Sequence, residues 1–245
     1  MPPKAYMFGL PYEDYEKLHV RKYGFHGTSH RFVSAALAEA MGKDIKDLKI
    51  VSCHLGNGSS ITAVDGGKSV DTSMGFTPLD GVVMGTRSGA VDPSAVTFVA
   101  DKHHFTPSEM SDYMNKKSGF LGVSGVGSDN RDITDAAAHG NERAKLVSDM
   151  LVYEIKKYIG SYAAAMNGLD AVLFTGGIGE NAFDVRAQVC NDMEFFGIKL
   201  DNAVNDGLRG KLAKISAADS KVDVWVVPTN EELLIARDTL ALISK

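Results

Sequence analysis

Several features are scarce in this chain of 245 residues, and each scarcity excludes a class of protein. The chain has two cysteines, Cys53 and Cys190, which are too few for a disulfide framework or a cysteine-rich zinc cluster. Its apolar runs all fall short of the about 18 residues that a membrane-spanning helix needs. The first seven residues lack the basic start and long apolar core of a signal peptide, so we expect a cytoplasmic protein.

An excess of positive charge is also missing. Lysine and arginine number 26 against 31 aspartates and glutamates, which gives a formal net charge of −5. A basic surface is the usual footprint of proteins that bind nucleic acid or anionic membranes, so we expect neither as a partner. The 44% hydrophobic and 23% charged residues are typical of a globular protein with a sizeable core.

Hydrophobic periodicity predicts a chain in which strands and helices are interspersed. Strands are expected at 48–54, 60–64, 69–72, 169–174 and 222–227, with a hairpin turn at 65–67. Helices are expected at 29–41, 93–103, 106–117, 142–166, 183–195 and 231–244. Irregular structure is expected at residues 1–20, and a tight loop is expected at residues 175–181. Strands that lead into glycine-rich loops and then helices indicate an α/β fold with its site at strand carboxyl ends.

Four segments place glycine beside one polar or charged side chain: 23–30, 54–60, 85–93 and 175–181. Glycine lets backbone N–H groups approach an anion closely, and successive N–H groups in such turns form anion-binding concavities. The fourth segment precedes a predicted helix, where phosphate binds readily, but it has neither the Walker A nor the dinucleotide-binding spacing. The pattern therefore favours a phosphate-handling enzyme of some other superfamily.

Three side chains in these segments are candidate phosphate contacts, and each also has an ordinary structural explanation. His26 can donate an N–H to a phosphoryl oxygen, or it can be satisfied by a neighbouring carbonyl in a turn. Asn57 can point its amide at a phosphate, or it can adopt the left-handed conformation of a turn. Arg87 has a planar guanidinium that suits phosphate or carboxylate, although most arginines are solvated surface charges. His30 lies four residues after His26, but no nearby glutamate completes a zinc site.

Acidic residues near two predicted helix starts also allow more than one role. Asp92 precedes a proline and fits a helix N-cap. Thr229 and Glu232 have the spacing of a capping box, which accounts for Glu232. Glu231 is then left free, and a hard oxygen ligand beside a phosphate site is a candidate partner for Mg²⁺.

Together, the motifs resemble those of the acetate kinase family. In family order they are Arg21-Lys-Tyr-Gly-Phe-His-Gly-Thr-Ser-His30, His54-Leu-Gly-Asn-Gly-Ser-Ser60, Met84-Gly-Thr-Arg-Ser-Gly-Ala-Val-Asp-Pro93, Gly176-Gly-Ile-Gly-Glu-Asn181 and Pro228-Thr-Asn-Glu-Glu232. The resemblance implies a ribonuclease-H-like α/β domain of the actin-like ATPase superfamily, in which two such domains close over a cleft. It also implies reversible phosphoryl transfer between ATP and acetate, giving acetyl phosphate and ADP, with Mg²⁺ or Mn²⁺, in a homodimer.

The resemblance assigns roles to particular residues. His26 and Arg87 are similar to the transition-state stabilisers of the family, and Glu231 to its metal ligand. Phe25 and Pro78 resemble part of the apolar pocket for the acetate methyl group. The implied nucleotide-binding residues are His54, Leu55, Gly56, Asn57, Gly58, Asp129, Asn130, Arg131, Gly177, Ile178, Gly179, Glu180 and Asn181.

The chain also departs from the family pattern, because family members are longer. Nothing in it resembles their N-terminal phosphate loop, their substrate-binding arginine or their active-site aspartate. We therefore expect a C-terminal portion of the enzyme, with a nucleotide-binding domain over 1–228 and, over 229–245, a terminal helix that in the family packs on the N-terminal domain. By itself this portion is expected to be inactive or nearly so.

Two alternatives stay open. The first is a propionate or butyrate kinase, because one methylene group in an apolar pocket gives only about 1–3 kcal/mol of discrimination. The second is a non-catalytic fragment that binds nucleotide or dimerises.

Overall fold

The computed structural model describes residues 1–244, which form one six-stranded sheet with helices on both faces. Its strands are β1 (Lys49–His54), β2 (Ser60–Asp65), β3 (Lys68–Thr72), β4 (Ala171–Thr175), β5 (Ala213–Lys214) and β6 (Asp223–Val226). Its helices are α1 (Pro3–Tyr6), α2 (Tyr12–Leu18), α3 (Gly27–Met41), α4 (Pro93–His103), α5 (Pro107–Lys116), α6 (Gly119–Ser124), α7 (Asn130–Ala138), α8 (Glu142–Met166), α9 (Gly176–Asn181), α10 (Phe183–Cys190), α11 (Asn202–Asn205) and α12 (Glu231–Ile243).

The sheet has the strand order β3-β2-β1-β4-β6-β5. Strands β1, β2 and β3 form an antiparallel meander, whereas β4 and β6 run parallel to β1. This topology confirms the expected α/β class with a ribonuclease-H-like domain. Parallel strands end at the same edge of a sheet, and His54 and Thr175, the last residues of β1 and β4, are register partners. The segments that follow these two strands therefore begin side by side.

Alternation along β1 divides the interior into two cores, because successive side chains of a strand point to opposite faces. Val51 and Cys53 pack in the larger core, to which α8 contributes one long apolar stripe. Ile50 packs in the smaller core beneath α3, with Val33 and Leu37. The 25 residues of α8 exceed the usual helix length, and eight of them are buried, so this helix anchors the larger core.

Most of the predicted longer elements are confirmed, including the full extents of α4 and α8. The hairpin turn between β2 and β3 is also confirmed. Asp92 caps α4 by accepting a hydrogen bond from the backbone N–H of Ser94 at 2.7 Å. Both cysteines are free and buried. Within the described residues, no helix combines the length and apolar character required to cross a membrane.

Four expectations are wrong in detail. Residues 1–20 contain the short helices α1 and α2 rather than only irregular structure, and residues 176–181 form the helical turn α9 rather than a loop. Helix α10 ends at Cys190, five residues early, because Asn191 adopts an extended conformation with φ −66° and ψ 143°. The capping box at Thr229 and Glu232 is absent, since Asn230 caps α12 by accepting from the N–H of Leu233 at 2.9 Å.

Candidate active site

The two glycine-rich segments after β1 and β4 interlock through their backbones. The carbonyl of Leu55 accepts hydrogen bonds from the N–H groups of Ile178 at 2.8 Å and Gly179 at 3.2 Å, while its own N–H donates to Thr175 at 2.8 Å. These bonds tie residues 55–58 to the first turn of α9. The sequence-predicted nucleotide segments at 54–58 and 177–181 thus form one continuous surface.

Glycines in this surface have two separable functions. Gly176 has φ 78°, and a β-carbon on it would lie 2.7 Å from the carbonyl oxygen of Leu55, so only glycine allows this approach. A β-carbon on Gly177 would meet nothing within 4 Å, and this residue is exposed. Gly176 therefore serves the packing of the two segments, whereas Gly177 leaves open space in front of the α9 backbone.

His26 is held in a strained backbone conformation at the start of α3. Its φ of 60° and ψ of 32° place a non-glycine residue in the left-handed region. Such strain costs on the order of 1–3 kcal/mol and concentrates at functional sites. The left-handed conformation considered for Asn57 does not occur there, because Asn57 is not among the positive-φ residues. This result removes the purely structural explanation offered for that asparagine.

His26 and Arg87 converge on Gly58. A β-carbon built on Gly58 would lie 3.0 Å from Nη1 of Arg87 and 3.5 Å from Nε2 of His26. The same Nη1 donates to the carbonyl of Pro78 at 3.1 Å, which fixes the guanidinium in place. Three segments far apart in sequence therefore bring an imidazole and a guanidinium to one face of one glycine. That arrangement suits an anion with several oxygens.

Three imidazoles cluster beside this point. The rings of His26 and His54 stack with centroids 4.0 Å apart, and His30 lies 6.5 Å from His26 and 6.2 Å from His54. Burial, with a smaller contribution from His26, lowers the pKa of His54 to about 3. Burial and then Arg87 lower the pKa of His26, and burial places the pKa of His30 well below its ordinary value. All three rings are therefore neutral at pH 7 and act as hydrogen-bonding groups.

A cavity of about 840 Å³ extends from residues 56–57 past α9 to α7, a size within the usual range for small-molecule sites. Its walls include Asn57, Gly177 and Asn181. Asp129, Asn130 and Arg131 form the opposite side at the start of α7. Eight of the thirteen residues predicted to bind nucleotide therefore line one cavity, whereas His54, Leu55, Gly58, Gly179 and Glu180 do not line it. Additional lining residues that the sequence analysis did not identify are Thr134, Asp135, Ala138, Ala182, Asp184 and Arg209.

The start of α7 carries an ion pair. Asp129 caps the helix, accepting from the N–H of Arg131 at 2.8 Å, and pairs with the Arg131 guanidinium at 2.6 Å. Hydrogen bonds from Arg131 lower the pKa of Asp129 to about 2. Both groups are solvent-accessible, so the pair orients the cavity rim and adds little to stability.

Glu180 connects the glycine-rich turn to the segment that precedes α12. Its Oε1 accepts from the N–H groups of Gly176 at 3.0 Å and Thr229 at 3.1 Å. Thr229 also shares a hydrogen bond of 2.9 Å with Ser29, which in turn contacts Nδ1 of His54 at 2.8 Å. The segment leading to Glu231 is thereby fastened to the histidine cluster.

Glu231 is the first residue of α12, and Glu232 stands beside it in the first turn. Within residues 1–244, no group of three His, Cys, Asp or Glu side chains has the geometry to hold a metal ion alone. Mg²⁺ is commonly held by one or two carboxylates together with substrate phosphates and water. Glu231 therefore fits a metal that arrives with a nucleotide, and it does not fit a resident structural metal.

Arg186 is a buried arginine that sequence analysis missed. Its side chain is fully buried and donates to three neutral oxygens: the carbonyls of Gly179 at 2.9 Å and Leu208 at 2.8 Å, and Oδ1 of Asn205 at 2.9 Å. Burial lowers its pKa to about 10. Through the bond to the Gly179 carbonyl, Arg186 supports α9 from the interior of the protein. The available signal was a charge flanked by apolar residues in a predicted helix.

A family model for the acetokinase family matches residues 1–237. The chain belongs to the acetokinase family. Its similarity to the acetate kinase of Bacteroides thetaiotaomicron is 58% identity over 245 residues, covering 100% of this chain and 61% of that protein. The chain spans about 61% of the length of the curated relatives it matches.

Solved structures of an acetate kinase and a propionate kinase have the same fold. The crystal structure of Porphyromonas gingivalis acetate kinase superposes with a TM-score of 0.97 at 53% identity, over 99% of this chain and 61% of that one. The propionate kinase of Francisella tularensis superposes with a TM-score of 0.90 at 41% identity, over 97% of this chain and 60% of that one. The expected family and fold class are both confirmed.

The structure brings most of the sequence-predicted site residues of this acetokinase-family chain into one region. His26, Arg87 and Gly58 converge, and the residues at 54–58, 129–131 and 177–181 border the cavity or support its wall. Pro78 is bonded to Arg87, and the carbonyl of Phe25 is bonded to Ser60 beside His26. Glu231 lies further along the segment that Glu180 secures.

Proposed function

We propose that this chain forms the nucleotide-binding part of an acetate kinase, which transfers a phosphoryl group reversibly between ATP and acetate to give ADP and acetyl phosphate. One observation carries the proposal: Nη1 of Arg87 and Nε2 of His26 meet at Gly58, beside a glycine-lined cavity of about 840 Å³. The cavity has room for a nucleotide, and its lining residue Asn57 directly precedes Gly58, where the imidazole and the guanidinium meet.

Phosphoryl transfer needs little covalent chemistry from a protein. It needs in-line positioning and neutralisation of charge on the phosphoryl oxygens. In this proposal the Arg87 guanidinium and the His26 ring contact those oxygens, while Asn57 and the exposed N–H of Gly177 contact the nucleotide phosphates. The bond from Arg87 to the Pro78 carbonyl holds the guanidinium in place before substrate arrives, which reduces the cost of organising the site.

Mg²⁺ or Mn²⁺ belongs to the same proposal, with Glu231 as its protein ligand. When bound with the nucleotide, the metal would supply positive charge next to the phosphates. The chain's contribution is to place the Glu231 carboxylate, through the bonds that Glu180 and Ser29 make to Thr229.

Acetate is proposed as the acceptor, with Phe25 and Pro78 as part of its methyl pocket. Both residues are half-buried. Their backbone carbonyls accept hydrogen bonds from Ser60, the partner of His26, and from Arg87, respectively. The similarity to a propionate kinase supports a second candidate, the next larger carboxylate. Because the difference is one methylene group, discrimination of about 1–3 kcal/mol is all that such a pocket supplies.

The remaining parts of the proposal concern organisation. We propose a nucleotide-binding domain over 1–228, a terminal segment over 229–245 whose helix α12 packs on another domain, and a cytoplasmic homodimer. In the structure this helix is Glu231–Ile243, and residue 245 of the segment lies outside the described residues. In support, none of residues 231–243 is buried, and apolar side chains such as Leu240 and Leu242 are 62% and 70% exposed.

Calorimetric titration of the purified chain with Mg·ADP tests the proposal. Saturable binding is expected, with at least about tenfold weaker binding in Gly177→Val, because Gly177 lines the cavity and its new β-carbon would meet no atom of the chain within 4 Å. His26→Ala is expected to weaken binding less, because its main role is with the transferring phosphoryl group.

Gly9→Val is the matched control. A β-carbon at Gly9 also meets nothing within 4 Å, and Gly9 is not part of the cavity lining. No saturable binding by a chain that still melts cooperatively would refute the nucleotide site. Equal binding by the Gly177 and Gly9 variants would place the nucleotide elsewhere.

A further inference from the structure

A chain of buried hydrogen bonds runs from the interior of the sheet to His26. Ser52 Oγ on β1 contacts Nδ1 of His30 at 2.8 Å, and Nε2 of His30 contacts Ser60 Oγ at 2.7 Å. Ser60 Oγ then contacts Nδ1 of His26 at 2.8 Å. Ser52 and Ser60 are fully buried and His30 is 5% exposed. Water therefore has little access to these groups, and they must satisfy one another.

The directions of these bonds follow from the number of protons available. In the described part of the chain, His30 is the single hydrogen-bond partner of the Ser52 hydroxyl. Leaving a buried hydroxyl proton unbonded costs about 1–3 kcal/mol, so Ser52 donates to Nδ1 of His30. A neutral His30 then carries its proton on Nε2 and donates it to Ser60.

Ser60 has one proton and a third partner. The backbone carbonyl of Phe25 lies 3.1 Å from its Oγ and can only accept, so the Ser60 proton is directed there. The two lone pairs of Ser60 accept from His30 and from Nδ1–H of His26. This arrangement makes all four contacts hydrogen bonds. The reverse direction, with Ser60 donating to His26, leaves the Phe25 carbonyl without this bond.

We propose that Ser52, His30 and Ser60 are positioning residues that hold His26 in the Nδ1–H tautomer, so that its Nε2 is an acceptor facing Gly58 until an anion and a proton bind there together. This inference rests on the proposed function for the identity of the anion, a phosphoryl group, but the tautomer is a property of the chain alone. Its consequence is that His26 contacts the anion as an imidazolium, which takes its second proton from solvent.

The surroundings of His26 favour coupling between anion binding and protonation of its ring. The titratable or charged groups facing it are His30 on the same helix, His54 at the end of β1 and Arg87 in the segment after β3. Burial and the charge of Arg87 lower the pKa of His26, which keeps the ring neutral when the site is empty. An anion between Nε2 and Nη1 offsets both effects, because an opposite charge at contact distance favours the protonated ring.

Two-bond ¹⁵N–¹H correlation spectra of the ¹⁵N-labelled chain at pH 7.5 test the tautomer. His26 is expected to show a protonated Nδ1 and an unprotonated Nε2, with its signals identified by their loss in His26→Gln. Ser60→Ala removes the acceptor and is expected to shift His26 toward the Nε2–H form. Ser34→Ala is the control, because it removes another buried hydroxyl from α3, one without any hydrogen-bond partner among the described residues.

A pH titration of the His26 ring signals with and without sulfate tests the coupling, since sulfate itself does not titrate near neutrality. Sulfate is expected to raise the midpoint by about one pH unit in the unaltered chain and in Ser34→Ala. An Nε2–H tautomer of His26 in the free chain would overturn the proposed positioning role of Ser52, His30 and Ser60, whether or not the chain binds Mg·ADP. If His26 has the Nδ1–H tautomer and the chain binds Mg·ADP, but sulfate does not raise the titration midpoint of His26, then only the coupling of anion binding to proton uptake is overturned. If His26 has the Nδ1–H tautomer in a chain that does not bind Mg·ADP, the proposed function is overturned, whereas the positioning role of Ser52, His30 and Ser60 is supported.

Discussion

The two adjacent glycines at the start of α9 are glycine for different reasons. Gly176 and Gly177 are indistinguishable in the printed sequence, yet only the first has a positive φ and a backbone neighbour in the way of a β-carbon. The first glycine is required by the fold. The second is required, in our proposal, by the ligand.

Alanine substitution at the two positions is expected to separate these requirements. Gly176→Ala forces a left-handed alanine and a close contact with Leu55, which together cost at least about 2 kcal/mol of unfolding free energy. Gly177→Ala is expected to leave the melting temperature within about 2 °C of the parent, since its methyl group meets no atom of the chain. Thermal denaturation followed by circular dichroism measures both. Equal destabilisation would contradict the division of roles.

Residue chemistry within short motifs could be predicted, whereas residues that act through distant partners could not. His26, Asn57 and Arg87 stand beside glycines, and that local context marked them as candidates. Ser52 and Arg186 carry no such mark, because each becomes meaningful only when folding brings His30 or the Gly179 carbonyl against it. The role considered for Thr229 failed for the same reason, since its hydroxyl bonds to Ser29, 200 residues away.

At the scale of elements, length decided what the sequence could predict. The periodicity of α8 extends over 25 residues and identifies both of its ends. Helices α6 and α7 have six and nine residues, too few turns for a repeating apolar pattern to stand out, and both were missed. The two-residue strand β5 pairs only with the edge of β6 and has no sequence pattern of its own.

Helix α12 differs from α8 in what supports it. None of its 13 residues is buried, and its links to the body are the bonds of the preceding Thr229, an ion pair between Arg31 and Asp238, and packing against α3. Elements with few buried contacts open more readily than core elements. Hydrogen–deuterium exchange with mass spectrometry is therefore expected to show α12 exchanging at least about tenfold faster than the centre of α8.

A substitution at the Asn230 cap tests this difference between α12 and α8, because it weakens α12 alone. Asn230→Ala removes the acceptor for the Leu233 N–H and is expected to cost about 1 kcal/mol locally, accelerating exchange in the first turn of α12 while leaving α8 unchanged. Protection of α12 comparable to that of α8 would contradict this account and would mean that another surface covers the helix.

For the molecule as a whole, the site is an extension of the sheet interior. The smaller core beneath α3 continues into the polar groups His30, Ser52 and Ser60, and the histidine cluster then reaches the anion site. Strands β1 and β4 fix the relative position of the two glycine-rich segments through their parallel register. Stability and site geometry therefore depend on the same buried groups, and this dependence has a pH signature.

Acidification is expected to destabilise the chain through its buried histidines. Burial lowers the pKa of His54 from about 6.5 to about 3, so below pH 6.5 the unfolded chain binds a proton that the folded chain does not. The stabilisation is complete above pH 6.5 and is lost as the pH falls toward 3. At pH 5 the loss at His54 is about 2 kcal/mol, and the lowered pKa values of His26 and His30 act in the same direction.

Urea unfolding at pH 7.5 and pH 5 measures this effect as a difference between variants. His54→Gln removes the titrating group, so its loss of stability between the two pH values is expected to be about 2 kcal/mol smaller than that of the parent chain. His139→Gln, a change at an exposed histidine, is expected to match the parent. Carboxylates titrate alike in all three proteins and cancel in the comparison. Identical acid sensitivity in His54→Gln and the parent would show that His54 does not remain neutral in the folded chain, and the hydrogen-bonded cluster would then have to accommodate a buried charge.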